Sequence, residues 1–266
     1  MYRKTLDYLN DIIKFKPICA IILGTGLNAL AEKIEDKIAI PYENIPGFVK
    51  STAPSHQGKL IAGFISNKPV IVFQGRYHYY EGFSMSQVTF PVRIAKLLGV
   101  EYLFVTNAAG SLNIDLKPGQ LVALNDHINM MPNPLIGKND DSFGERFPSM
   151  HSPYSKEITD LAFKLADENN ISLKQGVYCA VTGPSLETKS ECMMIKNWGA
   201  DVVGMSTVPE VITAIHCSLK VFAVSVVTNL SNIFHSEAHT QEEIRNNADK
   251  ASRDLLKLFQ LIIEKI

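Results

Sequence analysis

Short apolar runs recur along this chain and alternate with amphipathic segments, and this alternation restricts the folds that the chain can adopt. An apolar run of about four to eight residues is typical of a buried strand, whereas apolar residues at a spacing of three or four indicate a helix. Strands that alternate with helices predict an α/β fold with a mostly parallel or mixed sheet covered on both faces. The predicted strands span residues 18–23, 59–64, 70–74, 102–106, 121–124, 176–181, 201–205 and 221–227. The predicted helices span residues 87–98, 155–168, 189–198, 208–218 and 240–266.

The chain has 266 residues, a length that suits one large α/β domain or two small ones. The sequence contains no linker rich in proline, glycine or serine, no internal repeat and no low-complexity segment. We therefore expect a single domain that spans residues 1–266. The formal net charge of −1 gives no reason to expect nucleic acid or an anionic membrane surface as a partner.

The four cysteines are expected to be reduced thiols, because none forms a C-x-x-C pair and Cys19 and Cys179 lie within apolar runs. The run at residues 18–23 follows lysines, as in a signal peptide, but aspartates precede it and it spans six residues. No run approaches the ~20 apolar residues that a membrane helix needs. These features favour a cytoplasmic protein.

Small and polar residues follow six of the predicted strands, at the points where the strands end. In open α/β sheets ligands bind beyond the carboxyl ends of strands, and small residues let backbone amides approach a ligand closely. Six such ends together predict one shared pocket. The segments are GTGLN, QGRYHYYEG, NAAGS, TGPSLET, MSTVPE and TNLSN.

Arg76, His78 and Tyr80 alternate directly after the predicted strand 70–74. In an extended chain, residues two apart point to the same face, so these side chains would line one side of the pocket. An arginine fork suits paired oxygens, and histidine, hydroxyl and backbone amide donors add to it, which indicates a phosphate site. The alternative for Arg76 is a salt bridge with a surface carboxylate. The candidate phosphate donors are Arg76, His78, Thr25, Ser206 and the backbone of Asn107 and Ala108.

The segment GTGLNA at residues 24–29 also matches the dinucleotide fingerprint G-x-G-x-x-G/A, with Glu43 as a candidate ribose-binding acid. That interpretation leaves the polar residues at two other strand ends without a role, so the phosphate interpretation is preferred. His56 is either a lid residue over the pocket or a histidine of a surface loop. The remaining histidines lack metal-ligand spacing, and no metal is expected.

Nine segments of the chain resemble trimeric purine nucleoside phosphorylases, in order from about residue 20 to 230. The set of MSTVPEV with TNAAG and TGPSLET is specific to that family. The resemblance implies a mixed, distorted β-sheet or barrel surrounded by helices, and a homotrimer. It also implies cleavage of a purine nucleoside by inorganic phosphate, a co-substrate, with no metal or organic cofactor. The segments are LGTGL, STAPSHQGKL, QGRYHYYEG, FPVRIAKLLGV, VTNAAGSLN, GERFPSM, TGPSLET, GADVVGMSTVPEVI and VTNLS.

The resemblance also assigns roles to individual residues. Catalysis would fall on Asn229, His78 and Glu187, and Glu81 would orient His78. Phe147 would close over the sugar in a neighbouring subunit's site. The implied phosphate ligands are Thr25, Arg76, His78, the Ala108 amide and Ser206. The implied ribose contacts are Tyr80, Met205, Phe147 and Gln241 or His239, and the implied base contacts are Ala109, Leu186, Glu187 and Asn229.

The chemistry of the base contacts predicts which purine is accepted. The Asn229 amide can donate to O6 or N7 of a 6-oxopurine, and Glu187 can accept from its N1–H. Adenine N1 carries no hydrogen and would leave the carboxylate unpaired, which a buried site penalises strongly. The sequence therefore predicts inosine, guanosine and their 2′-deoxy forms as substrates over adenosine.

Three positions depart from the commonest family pattern. Thr25 replaces a serine and keeps the hydroxyl, whereas Leu186 replaces an aromatic residue and loses stacking surface on the base. The family's histidine for the ribose 5′-hydroxyl has no clear equivalent, because Gln241 aligns with it and His239 lies two residues earlier.

Other functions stay open on the sequence alone. A methylthioadenosine phosphorylase or a xanthosine-type phosphorylase would share the fold, although Asn229 and Glu187 argue against the first. An NAD-binding oxidoreductase would use the glycine-rich segment, and a nucleoside-binding protein would bind inosine without turnover.

Overall fold

The computed structural model describes residues 2–24, 28–53, 57–234 and 240–266, with the backbone alone at residues 28–29 and 241–245. Within these residues nine strands form one sheet, in the order β2-β3-β4-β1-β5-β8-β7-β6-β9, and β9 also pairs with β5. The second pairing closes β5, β8, β7, β6 and β9 into a barrel, and β1 to β4 extend it as an open sheet. The strands are β1 (Cys19–Ile22), β2 (Glu35–Pro41), β3 (Lys59–Ile65), β4 (Lys68–Gln74), β5 (Tyr102–Ser111), β6 (Leu121–Asn129), β7 (Leu173–Ala180), β8 (Val202–Gly204) and β9 (Lys220–Leu230).

The sheet is mixed, as the sequence predicts. Strands β4, β1, β5 and β9 run parallel, whereas β8 runs antiparallel to β5 and β6 runs antiparallel to β9. The predicted turn ISNKPV joins β3 and β4 as a hairpin, with Ser66 and Asn67 both at positive φ (50° and 62°). Two successive left-handed residues match the right-handed twist of the flanking strands. The predicted mixed α/β fold is confirmed.

All five predicted helices are present, although one of them is divided. The segment 87–98 forms two helices, because Ser84 caps the first and Pro91 lies in the first turn of the second. The helices are α1 (Tyr2–Ile12), α2 (Met85–Val88), α3 (Phe90–Leu97), α4 (Lys156–Glu168), α5 (Lys189–Asn197), α6 (Val208–His216) and α7 (Gln241–Lys265).

Two elements are absent from the sequence-based prediction. Strand β2 (Glu35–Pro41) lies at the edge of the sheet and is largely exposed, so its charged sequence EDKIAIP lacks the apolar run of a buried strand. Helix α1 (Tyr2–Ile12) fully buries only Thr5 and Leu9, and its other apolar residues pack against the core while partly exposed. Their partial burial explains why a search for apolar runs passes over both.

Helix α7 packs an aromatic side chain onto the parallel strands of the barrel. The Phe259 ring centroid lies 5.2 Å from that of Phe104 on β5 and 6.1 Å from that of Phe222 on β9. All three rings are buried. The predicted scaffold role of this helix is consistent with that contact, which fixes two of the strands that carry the cavity described below.

No helix among the described residues is both long enough and apolar enough to cross a membrane.

Replacing Phe259 by alanine should lower the free energy of unfolding by about 3–5 kcal/mol, because the lost ring leaves a cavity between α7 and two barrel strands. Urea denaturation at a matched protein concentration measures this change. Lys257→Ala alters an exposed residue of the same helix and should cost no more than about 0.5 kcal/mol. Similar losses in the two variants would contradict the packing argument.

Candidate active site

Residues from all six predicted strand ends line one cavity of about 160 Å³. The predicted shared pocket is therefore present within the described residues. Strand β8 runs against β5, so its last residue, Gly204, meets β5 at Ala108 rather than at the end of that strand. The lining residues are Gly24 after β1; Arg76, His78 and Tyr80 after β4; Asn107, Ala108, Ala109 and Gly110 of β5; Leu186 and Glu187 after β7; Val203, Gly204, Met205 and Ser206 of β8 and the loop after it; and Thr228 and Asn229 of β9.

Gly24 lies where β1 passes closest to β5. A Cβ atom at this position would come within 2.8 Å of Asn107 Cα and Thr106 O. The Gly24 amide donates to the Thr106 hydroxyl at 2.9 Å, which fixes the end of β1 against β5. A 3₁₀ helix at Asn28–Lys33 stands where the dinucleotide fingerprint requires an α-helix, which argues against that interpretation.

The predicted extension of β4 through Tyr80 is wrong. The strand ends at Gln74, Gly75 takes a positive φ of 115°, and residues Tyr79–Glu81 form a 3₁₀ turn. The alternation of Arg76, His78 and Tyr80 therefore does not reflect an extended strand. The three side chains nevertheless line the same cavity, because the turn folds back over the end of the strand.

Arg76 is 3% exposed and forms an ion pair with Glu210, which is 1% exposed. Its Nη1 lies 3.3 Å from Glu210 Oε1 and 3.2 Å from Thr207 Oγ1, and its Nη2 donates to the Thr106 carbonyl. The carboxylate that pairs with Arg76 is thus buried in helix α6, not on the surface as the alternative interpretation assumed. A buried guanidinium held at three points has a fixed orientation toward the cavity.

His78 is oriented by Glu81. Its Nδ1 lies 2.9 Å from Glu81 Oε2, and its ring stacks on Tyr80 with centroids 4.6 Å apart. Burial alone would raise the pKa of Glu81, but hydrogen bonds from His78 and Thr52 outweigh it and lower this pKa to about 2. The ionised carboxylate holds Nδ1 as a donor, so that Nε2 is the ring nitrogen left for other partners.

Asn229 enters the cavity because of a bulge in β9. Ala109 of β5 pairs with Val227, and the next residue, Gly110, pairs with Asn229, so that Thr228 is extra. A bulge changes the face to which the following side chains point. The Thr228 hydroxyl lies 2.9 Å from Asn229 Oδ1 and 3.3 Å from the Ala109 carbonyl. Asn229 Nδ2 donates to the Leu230 carbonyl at 3.4 Å, and its second hydrogen can donate to a ligand.

Glu187 lies on the loop between β7 and α5, and it is held at the end of that loop next to α5. Its carbonyl accepts from Asn232 Nδ2 at 2.7 Å, and Thr188 and Glu191 form a capping box at the start of α5. Burial raises the pKa of Glu187, and the nearby charge of Glu191 acts in the same direction. Beside it, Leu186 is 50% exposed and covers the cavity with an aliphatic side chain.

The structure brings together most, but not all, of the residues that the sequence singled out. Phe147 is 85% exposed and lines a separate cavity with Ile136 and Met150. Thr25, His56 and His239 lie outside the described residues. Gln241 is the first residue of α7, and only its backbone is described.

Two residues at the site, Thr207 and Glu210, escaped the sequence analysis. Thr207 accepts from Arg76 and from Asn107 Nδ2, and it has a positive φ of 72°. Glu210 had a detectable signal, because it is the only residue among Asp, Glu, Lys and Arg in the helix VPEVITAIH. A lone carboxylate in an apolar helix requires a buried partner.

This chain is similar to known proteins over most of its length. The family model described as the Phosphorylase superfamily matches residues 19–264. Purine nucleoside phosphorylase 1 of Bacillus subtilis is 46% identical over 257 residues, which cover 96% of this chain and 95% of that protein. The purine nucleoside phosphorylase of Rattus norvegicus is 40% identical over 273 residues, which cover 100% of this chain and 94% of the relative.

Solved structures of purine nucleoside phosphorylases are also similar to this chain. The Schistosoma mansoni purine nucleoside phosphorylase in complex with adenosine superposes with a TM-score of 0.95 at 42% identity, covering 100% of this chain and 96% of that one. The same protein in complex with inosine gives a TM-score of 0.94 at 41% identity, with the same coverage.

Glu81→Gln should destabilise the protein at neutral pH, because it removes the carboxylate bonded to His78 and Thr52. The pKa of Glu81 is about 2 in the folded chain, below the ordinary 4.5, so its stabilisation is complete above pH 4.5 and lost as the pH falls toward 2. The difference in Tm between the natural chain and the variant should be constant from about pH 7 to 5 and narrow below about pH 4.5.

Glu101→Gln serves as the control, because Glu101 is an exposed partner of Lys16 at 3.9 Å and should have little effect at any pH. A Tm difference for Glu81→Gln that stays constant down to about pH 3 would contradict the assigned pKa.

Proposed function

The chain belongs to the purine nucleoside phosphorylases of the phosphorylase superfamily, and we propose that it catalyses the reversible phosphorolysis of 6-oxopurine nucleosides. Its substrates are inosine, guanosine and their 2′-deoxy forms, and its products are the purine base and (deoxy)ribose 1-phosphate. The observation that carries this proposal is one cavity with an arginine and a histidine at one end and an amide donor and a carboxylate at the other.

Phosphate occupies the end of the cavity formed by Arg76, His78 and Ser206. The guanidinium supplies positive charge, and the imidazole and hydroxyl supply further donors. The Ala108 amide and the Thr25 hydroxyl complete the set that the family resemblance implies. Phosphate is a co-substrate in this proposal, and the reaction requires neither a metal nor an organic cofactor.

The purine occupies the end formed by Ala109, Leu186, Glu187 and Asn229. With Thr228 bonded to Oδ1, the Asn229 amide offers Nδ2 to O6 and N7 of the base. Glu187 accepts from N1–H, and from the 2-amino group of guanine. Its raised pKa makes this contact sensitive to acid, because the protonated carboxyl has lost part of its capacity to accept.

Bond cleavage develops negative charge on the purine and positive charge on the sugar, as in other glycosidic cleavages. Asn229 stabilises the leaving purine at N7, and the bound phosphate anion stabilises the oxocarbenium-like sugar before it attacks C1′. The protein therefore contributes positioning and electrostatic stabilisation rather than a covalent nucleophile.

The ribose lies between the two ends, against Tyr80 and Met205. Both residues line the cavity. We assign the 5′-hydroxyl to Gln241 or His239 and a lid role to His56, all three on the basis of the family resemblance.

The protein acts as a cytoplasmic homotrimer in purine salvage. An exposed phenylalanine is unfavourable in water, and Phe147 projects from a patch that includes Ile136 and Pro148. A neighbouring subunit's cavity gives that ring an apolar environment over the sugar, as the family resemblance implies.

The first test is hypoxanthine release from inosine with and without phosphate, with adenosine in parallel. Release from inosine that requires phosphate supports the proposal, whereas equal release without phosphate indicates a hydrolase. Inosine binding without turnover indicates a nucleoside-binding protein. Adenosine is included because a relative has been solved in complex with adenosine, and rapid adenosine cleavage would contradict the base assignment.

In the same assay, Asn229→Ala should lower kcat/KM for inosine by about 10²- to 10³-fold, because it removes the donor to the developing purine anion. Asn229→Asp should also lower activity with inosine, and it should narrow the preference over adenosine, because a carboxylate repels O6 and accepts from a 6-amino group. Near-normal inosine cleavage by Asn229→Ala would overturn the assignment.

A shared site can be tested by mixing two defective subunits. Arg76→Gln should be inactive, and Phe147→Ala should have a raised KM for inosine. Co-expressed as mixed trimers, a Phe147→Ala subunit keeps its own Arg76 and receives an intact Phe147 from an Arg76→Gln neighbour. Activity above the sum of the separate variants is expected, and simple additivity would contradict the exchange of Phe147 between subunits.

A further inference from the structure

A buried polar layer lies behind the phosphate end of the cavity. Glu210 and Thr207 both contact Arg76 Nη1, at 3.3 and 3.2 Å, and each of the three side chains belongs to a buried residue. Thr207 and Glu210 are absent from the cavity lining, whereas Arg76 and Ser206 belong to it. Thr207 and Glu210 can therefore affect a ligand only indirectly, through Arg76 and Ser206, which they contact.

The hydrogen bonds of Thr207 fix the direction of the Ser206 hydroxyl. Thr207 Oγ1 accepts from Arg76 Nη1 and from Asn107 Nδ2 at 2.9 Å, which uses both of its lone pairs. Its one hydrogen then points to Ser206 Oγ, 3.1 Å away. Ser206 is consequently an acceptor toward Thr207, and its own hydrogen is directed to another partner. Ser206 lines the cavity, so this hydrogen-bond arrangement leaves the Ser206 hydroxyl hydrogen free to donate to an anion there.

Thr207 adopts this arrangement at a conformational cost. Its backbone has φ 72° and ψ −56°, a combination that a β-branched residue rarely adopts. Such strain persists where the surroundings determine it, and it is concentrated at functional sites. At this position it brings one hydroxyl within reach of Arg76, Asn107 and Ser206.

Glu210 has two opposing effects on an anion at Arg76. Its carboxylate holds the guanidinium in place, which favours binding by reducing the freedom that is lost when phosphate is bound. Its negative charge also offsets the charge of Arg76 and repels the incoming anion, and both effects are strong where water is excluded. Replacing the carboxylate by an amide separates the two effects, because the amide oxygen can still accept from Nη1.

We propose that Glu210 and Thr207 are positioning residues that set the affinity for phosphate. The Thr207 hydroxyl orients the Ser206 hydroxyl as a donor toward the anion. Glu210 aligns the Arg76 guanidinium and partly offsets its positive charge. This inference rests on the proposed function only in identifying the anion as phosphate.

The test compares Glu210→Gln with the natural chain. The variant should lower the KM for phosphate about three- to tenfold, because the countercharge is lost while the acceptor to Nη1 remains. The KM for inosine should change by less than about twofold, since the base contacts lie at the other end of the cavity. An unchanged or raised phosphate KM would overturn the role of the charge.

Glu210→Asp keeps the charge but shortens the side chain, so the carboxylate loses contact with Nη1. It should raise the phosphate KM and leave that for inosine within about twofold. This variant also tests the proposal if Glu210→Gln fails to fold, and an unchanged phosphate KM would overturn the aligning role.

Thr207→Val removes the hydroxyl with little change in shape. The Ser206 hydroxyl then has no fixed orientation, and the phosphate KM should rise about tenfold with the inosine KM nearly constant. Equal effects on both substrates would indicate a purely structural role.

Thermal denaturation with inorganic phosphate provides a readout that does not require turnover. Glu210→Gln removes the buried carboxylate that pairs with Arg76, so it should lower Tm without phosphate and enlarge the rise in Tm that phosphate produces. Glu157→Gln removes the same charge from an exposed partner of Lys220 and should leave the phosphate response unchanged.

The outcomes separate this inference from the proposed function. If the natural chain shows no phosphate-dependent cleavage of inosine, the proposed reaction fails, and the phosphate-induced rise in Tm decides the inference alone. If cleavage is normal but the phosphate response of Glu210→Gln equals that of Glu157→Gln, the inference fails and the proposed function stands.

Discussion

The pairing of β5 with β9 is the constraint on which the rest of the structure depends. It closes the barrel within the described residues, and it runs from Tyr102 opposite Lys220 to Ser111 opposite Leu230. Strand β5 also pairs with β1 along its first half and with β8 at its end. One continuous backbone therefore carries both ends of the cavity, and the distance between them is fixed by strand geometry rather than by loops.

Three of the four β5 residues that line the cavity, Ala108, Ala109 and Gly110, are small, and neighbouring groups approach this strand closely. A Cβ atom on Gly110 would come within 3.3 Å of Asn229 Nδ2, and Ala108 lies against Gly204 of β8. Larger side chains would fill the cavity from its floor. The segment NAAG therefore combines a strand, which needs regular backbone, with a ligand floor, which needs little side-chain volume.

The sequence predicts the outline of this arrangement, because its main signals are local. Buried strands form apolar runs, and the polar residues that end them stand out, which is enough to locate the cavity and most of its lining. The bulge at Thr228 is different, since it depends on how β9 registers with a strand more than a hundred residues away. The positive φ of Thr207 and the identity of the partner of Glu210 likewise arise only when distant segments meet, although the lone carboxylate in the apolar helix α6 indicates that some buried partner is needed.

In the proposed function, one small cavity accepts both an anion and a neutral nucleoside, and the charges at its two ends are consistent with that requirement. At the proposed phosphate end, the positive charge of Arg76 is already compensated within the protein, because the Glu210 carboxylate faces the guanidinium. The unoccupied cavity therefore avoids the cost of a bare buried cation. At the proposed base end, burial raises the pKa of Glu187, because an ionised carboxylate is less stable where water is excluded. The side chains at both ends are oriented by neighbouring residues: Arg76 by Glu210 and Thr207, and Asn229 by Thr228. In the proposed reaction, orientation of this kind reduces the reorganisation required at the transition state, where the purine and the phosphate would carry negative charge on either side of the sugar.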